Sequence, residues 1–207
     1  MSNYVTAIGL DVHARSIKAC ALNPMTGEVE RASFGYDPAS VAEWALGFES
    51  PKAVYESGVT GFHLCHALRA LGLDCAVGAV SKMQRPAADR GRKTDRRDAE
   101  FLARLLATRN VVEVWVPDGR TEAARDLSRA LADARDDLQR AKQRMSKFLL
   151  RHGHVFDEPT PTGGRRGNWT RAYWRWADAI EFVEPDDAAA YEHYRDCVRR
   201  CEEARDA

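Results

Sequence analysis

Residues 7–13 read AIGLDVH, an apolar, β-prone run that delivers an acid, Asp11, at its end. Alternation over Tyr4–Leu10 predicts a first strand, with Asp11 directly after it. Ser16–Leu22 reads as a second strand, and Asn23-Pro24-Met25-Thr26-Gly27 is turn chemistry. Glu28–Phe34 then returns as the third strand of a meander. Val41, Trp44, Ala45 and Phe48 share helical spacing, which predicts a helix over 39–48. Lys52–Tyr55 is a short apolar strand that again ends on an acid, Glu56, in AVYESG. Phe62–Leu71 reads as a helix with Phe62, His66, Leu68 and Leu71 near one side, stopped by Gly72. Cys75–Val80 is the next strand. Three strands, then helix, strand, helix, strand is an α/β pattern with an antiparallel start.

Downstream, residues 81–93 are basic, aperiodic and punctuated by Pro86 and Gly91, so they read as a loop. Asp95–Ala107 has strong helical spacing. Val111–Val116 reads as a final strand, broken by Pro117-Asp118-Gly119. From there the texture changes. Thr121–Arg151 contains no Gly or Pro, and Leu127, Ala130, Leu131, Ala134, Leu138, Ala141, Met145, Phe148 and Leu149 recur every three to four residues. That is an amphipathic helix of about 30 residues, ~45 Å, which calls for a partner helix. Glu158–Asn168 is a Pro/Gly loop, and 169–182 and 186–205 read as two further helices. The expected division is 1–118 and 119–207. The helical pattern still runs at Asp206-Ala207 without a cap, which reads as a chain cut short.

Composition narrows the classes. Of 207 residues 44% are hydrophobic and 30% charged, a globular balance rather than a disordered one. No apolar run approaches the ~20 residues of a membrane span. MSNYVTAIGL has neither the basic start nor the long apolar stretch of a secretory signal, so a cytoplasmic protein is expected. Five cysteines form no CxxC and no zinc spacing, and their odd number argues against a disulfide framework. Lys plus Arg equals Asp plus Glu at 31 each, yet residues 81–151 hold 18 basic and 11 acidic residues, while the segments on either side are net acidic. A basic middle band is what a polyanionic partner needs, and it is also what a solvated helix face looks like.

Four acids stand at places where α/β sheets gather chemistry: Asp11 and Glu56 after strands, and Asp95 and Asp98 in RKTDRRDAE at a predicted helix start. A separation of three puts the last two on one helical face. Four converging carboxylates need a cation to ionise together. Oxygen-only ligands favour Mg²⁺, with Mn²⁺ as a substitute. Two such ions can activate water and stabilise a leaving oxygen in phosphodiester cleavage. Taken singly, each acid has a plainer reading: Asp11 and Glu56 as turn formers, Asp95 as a helix cap, Asp98 as its helix-dipole partner.

The order of these acids resembles the RNase H-like fold with a RuvC-type acidic set. GLDVH (9–13), ESGVTGFHLCHALRALG (56–72) and RKTDRRDAEFLARLL (92–106) resemble the DEDD transposases of the insertion-sequence-110 type, whose relatives include Piv-type DNA invertases. The matching stretch covers about residues 4–150. The resemblance implies a mixed sheet flanked by helices, followed by a coiled-coil region. It puts the metal-binding, catalytic tetrad on Asp11, Glu56, Asp95 and Asp98. It also implies a DNA partner, a structured guide RNA that delegates targeting to base pairing, homo-oligomers through the coiled coil, and a bacterial, nucleoid-associated setting. The family's pattern continues into a domain with a catalytic serine, and Ser57, Ser128 and Ser146 are no substitutes for it. The expected activity is DNA strand cleavage and exchange in transposition. The alternatives are a metal-free dimerisation scaffold and a stand-alone nuclease for branched DNA.

Lys82, Arg85, Arg90, Arg92, Lys93, Arg96 and Arg97 surround the last two acids and suit phosphate contacts; Arg96 and Arg97 could equally offset neighbouring acids. His13, two residues past Asp11, reads as structural, with a metal or phosphate contact as the alternative. His63 reads as surface and His66 as core. Trp169, Tyr173 and Trp176 share a helical face and read as packed core ahead of a base-stacking platform.

Overall fold

The computed structural model describes residues 5–79 and 95–206; within the helix that opens at Asp95, side chains are described from Asp98 onward. The chain divides into two compact units, residues 1–118 and 119–207.

In the first unit, among the described residues, five strands form one sheet in the order β3-β2-β1-β4-β5. β1 (Thr6–Val12), β2 (Ser16–Leu22) and β3 (Val29–Gly35) are the antiparallel meander, and β4 (Pro51–Glu56) and β5 (Asp74–Gly78) run parallel to β1. Asp11 does not follow β1 but lies inside it, because the His13 amide bonds the Ser16 carbonyl at 2.9 Å and extends the ladder to Val12↔Ile17. Glu56 is the last residue of β4. The β2–β3 turn is held by Asn23, whose Oδ1 accepts from the Met25 amide at 2.9 Å, and by Gly27 at φ +78°.

The two faces of this sheet are covered differently. Ile8, Leu10, Ile17, Ala53, Tyr55, Cys75 and Val77 form the core on one face with α1 (Pro38–Leu46) and α2 (His63–Ala70). Asp37 caps α1 by accepting from the Ala39 amide, and Pro38 fills a first-turn position where no amide donor is needed. The buried face of α2 is Leu64, Cys65 and Leu68; His66 is only half-buried, so the apolar stripe sits one step away from the expected one. Tyr55 is fully buried, and its hydroxyl donates to the Gly61 carbonyl at 3.0 Å. Burial pushes its phenol well above the ordinary range.

The opposite face carries α3 (Asp95–Ala107). Ala7, Val54 and Ala76 pack on Leu102 and Leu106, while Cys20 packs on Ala99 and Ala103. A Cβ on Gly9 would fall 2.0 Å from the Ala99 carbonyl oxygen and 2.5 Å from the Ala103 backbone nitrogen. Glycine at 9 thus lets helix backbone rest on strand backbone. The expected strand at 111–116 is absent from the sheet. Among the described residues only Gly78↔Glu113 forms a bridge there, supported by hydrogen bonds from Ala79 to Val112 and from Val114 to Val77.

The second unit is helical: α4 (Gly119–Arg151, 33 residues), α5 (Arg171–Asp178) and α6 (Pro185–Asp206). The expected helix over 169–182 shortens to α5 because Trp169 adopts φ +70° and Thr170 caps the helix by accepting from the Tyr173 amide. The core joins Leu138, Ala141, Met145, Phe148 and Leu149 of α4 to Tyr173, Ala177, Tyr191 and Val198. Tyr191 donates to the Ala177 carbonyl at 2.7 Å, and burial pushes its phenol up to about 12. Trp169, Tyr173 and Trp176 pack their rings within this cluster, as core residues. In the first half of α4, Leu127 and Leu131 are exposed. The five cysteines are free thiols. No helix among the described residues is long and apolar enough to cross a membrane.

Candidate active site

Side chains alternate along a strand, so the packing of neighbours orients the acids. Leu10 lies in the α1–α2 core and Gly9 lies under α3, which puts Asp11 on the α3 face. Tyr55 and Val54 divide in the same way, so Glu56 is also on the α3 face. Leu10 pairs with Tyr55 in parallel register, and Asp11 and Glu56 stand one residue beyond that pair on adjacent strands. Adjacent strands are about 4.8 Å apart. Both acids are half-buried.

The helix supplies the rest by its direction. Leu106 packs near Ala7, and Ala99 and Ala103 sit at Gly9, so α3 runs back along β1 and its first turn reaches the Asp11 end. Asp98 lies there, half-buried, one residue before Ala99. Asp95 opens the helix one turn earlier. The fold thus brings Asp11, Glu56 and Asp98 to one end of one sheet face. Among the described residues no three His, Cys, Asp or Glu side chains converge as a group that could hold an ion; the Asp95 side chain lies outside that set.

His13 bonds Asp11 through Nε2···Oδ2 at 3.0 Å, with the imidazole half-exposed. The structure therefore places its imidazole against the acid. Further along the α3 face Arg31 donates to Glu100, which also accepts from Arg104 at 2.7 Å. Arg31 foremost, then Arg104, holds the Glu100 carboxyl below its ordinary range. Neither Arg31 nor Glu100 was anticipated from the sequence. Lys18 was also missed: it pairs with Asp11 across the β1–β2 ladder. Hairpin arithmetic from the short connection after Val12 would have found it. Of the basic residues expected to contact phosphate, Lys82, Arg85, Arg90, Arg92 and Lys93 lie outside the described residues. Arg96 and Arg97 are in the first turn of α3, without described side chains.

A mixed sheet in which acids stand near the ends of neighbouring parallel strands beneath a helix laid back along the first strand defines an α/β domain of the RNase H-like class. The family model of the IS110-type DEDD transposases, described as "Transposase", matches residues 8–153, and the chain belongs to that family. It is 40% identical over 159 residues to a Sinorhizobium fredii protein named as a transposase, y4qE, a match covering 77% of this chain and 38% of that protein. It is 30% identical over 202 residues to the transposase for insertion sequence element IS1533 of Leptospira borgpetersenii, covering 95% of this chain and 56% of the relative. The chain thus spans between about two fifths and just over half of the length of these relatives.

Proposed function

We propose that residues 1–118 are the metal-dependent catalytic domain of an insertion-sequence transposase, acting on DNA in the bacterial cytoplasm. Asp11, Glu56, Asp95 and Asp98 hold divalent metal, Mg²⁺ with Mn²⁺ as substitute. The observation that carries this reading is the placement of Asp11 and Glu56 at adjacent positions on the α3 face, with Asp98 brought to the same end. The donors are all carboxylate oxygens, which fits a hard cation. When bound, the metal polarises a phosphodiester and lowers the pKa of an attacking water. The residues of this chain then have two tasks. The acids fix the position of the metal, and His13 holds the Asp11 carboxylate through its Oδ2. Lys82, Arg85, Arg90, Arg92, Lys93, Arg96 and Arg97 contact phosphates of DNA or of a structured guide RNA.

Residues 119–207 serve assembly. Leu127, Leu131, Ala134, Leu138, Ala141 and Met145 follow alternating steps of four and three along α4, the spacing of a coiled-coil seam. Within the chain the core of the second unit takes this seam from Leu138 onward, and Leu127 and Leu131 remain exposed for a second copy. This arrangement gives the scaffold reading its support, without displacing the catalytic one.

The test is titration of Mg²⁺ and Mn²⁺ by calorimetry beside an Asp11→Ala, Asp95→Ala double variant, followed by cleavage of branched DNA. Binding lost in the variant, and cleavage lowered on the order of 10³-fold or more by Asp11→Asn at unchanged melting temperature, are expected. Cleavage that survives Asp11→Asn would sink the catalytic reading.

A further inference from the structure

The register of the sheet sets a polar row at the end of the α3 face. Lys18 is the cross-strand partner of Asp11, and Ser33 is the partner of Lys18. Alternation confirms the side: Ile17 and Ala19 belong to the α1–α2 core, while Cys20 packs on Ala99 and Ala103 of α3. Ser33, Lys18, Asp11 and Glu56 therefore run side by side across β3, β2, β1 and β4. Next to the row is a groove of about 320 Å³ lined by Lys18, Arg31, Ser33 and the small residues Ala19, Ala32 and Ala99. Of the small residues, Ala99 is the one whose side chain lies on this face.

Lys18 is unusual among the cations lining this face. Arg31 is committed to Glu100, and Lys52 at the far end of β4 is committed to Glu113 at 2.7 Å. Lys18 donates to the neutral hydroxyl of Ser33 and, among the described residues, has no acidic partner. It is half-buried at a strand position where its stem lies along the sheet. An ammonium held by a neutral acceptor, one strand from Asp11, keeps donors available for an anion.

Resting on the catalytic reading above, we propose that Lys18, supported by Ser33, is a phosphate-binding residue. It grips the DNA backbone in the groove next to the carboxylates and sets which phosphodiester meets them. It acts as a positioning and binding residue. The partner is the phosphate backbone of DNA, since a lone lysine reads charge and carries no base information.

The experiment uses the full chain and a fluorescein-labelled four-way DNA junction, with anisotropy read across a potassium chloride series without divalent metal. One ammonium–phosphate contact contributes about 0.9 to the slope of log K against log salt on duplex DNA. Lys18→Gln is therefore expected to lower that slope by about one and to weaken binding roughly fivefold at about 0.1 M salt, with Lys18→Arg retaining the slope. A merely structural lysine would lower the melting temperature and leave the slope untouched, and that result overturns the proposal. A slope change with an RNA hairpin but none with the junction overturns the assignment to DNA. If the unmodified chain fails to bind the junction at all, the catalytic reading falls, and this proposal falls with it. Binding by the unmodified chain with an unchanged slope in Lys18→Gln removes this proposal alone.

Discussion

The two faces of the sheet are built to different rules. The α1–α2 face is filled by large side chains, Ile8, Leu10, Ile17, Tyr55, Leu64 and Leu68, all excluded from solvent. The α3 face is filled by Ala7, Gly9, Cys20, Val54, Ala76, Ala99 and Ala103, with Leu102 and Leu106 as its bulk. Large side chains remove more apolar area from water per residue, and that face holds the domain together. Small side chains yield less area but bring a helix backbone within contact of a strand backbone. Side chains interdigitated between a helix and a sheet tolerate small shifts, whereas a helix seated on Gly9 has one position. The acidic strand ends belong to the face with the tight tolerance.

The contrast can be broken at Gly9. Gly9→Val is expected to destabilise the first unit by about 4 kcal/mol, because backbone atoms, which cannot rotate away, meet the new side chain. Denaturant unfolding followed by circular dichroism measures this. A loss below about 1 kcal/mol would mean that α3 slides and that the tolerance is looser than argued. The opposite face predicts a different outcome. Leu68→Ala should cost about 3 kcal/mol by leaving a cavity, with the proposed metal affinity unchanged at temperatures where the variant is folded. Metal affinity lost together with stability would dissolve the distinction between the faces.

The smallest effect is electrostatic. Arg31 holds the Glu100 carboxyl below its ordinary value near 4.5. A carboxyl lowered in the folded state contributes stability above its unfolded value and loses it as pH falls through the folded one. Arg31→Gln should therefore lower the melting temperature slightly at neutral pH, with the difference closing as pH drops through and below the carboxylate range. A difference that stays constant with pH would show that Arg31 acts by packing its stem. The pair is partly exposed, so screening by salt keeps the effect small.

Much of this was legible beforehand, for identifiable reasons. The meander, the parallel β4 and β5, and the α3 helix from Asp95 to Ala107 follow from period and punctuation, which are local signals. The exposed stripe of α4 was legible as a demand for a partner, and the second half of that demand is met within the chain. What failed was tertiary. Val111–Val116 has strand composition, but next to β5 it forms one bridge rather than a ladder. Trp169 fits a helical stripe, yet its left-handed backbone keeps it out of the helix, which begins only at Arg171. At the site, the four acids were visible as residues, while the face shared by Asp11 and Glu56 came from pairing Leu10 with Tyr55. Lys18 was overlooked because its meaning depends on what stands opposite to it. Gly9 was overlooked because a glycine in a strand gives no sign of what rests on it.

The seat of α3 on Gly9 also has a consequence in time. Asp11 and Glu56 are made early, but the helix that roofs them is complete only at Ala107. Ribosomes add roughly 5–20 residues per second, so several seconds separate the synthesis of the first acid from that of its cover. During that interval β1 is a strand with a bare glycine and no helix to seat there. A newborn chain therefore carries Asp11 and Glu56 before α3 exists to cover that face of the sheet.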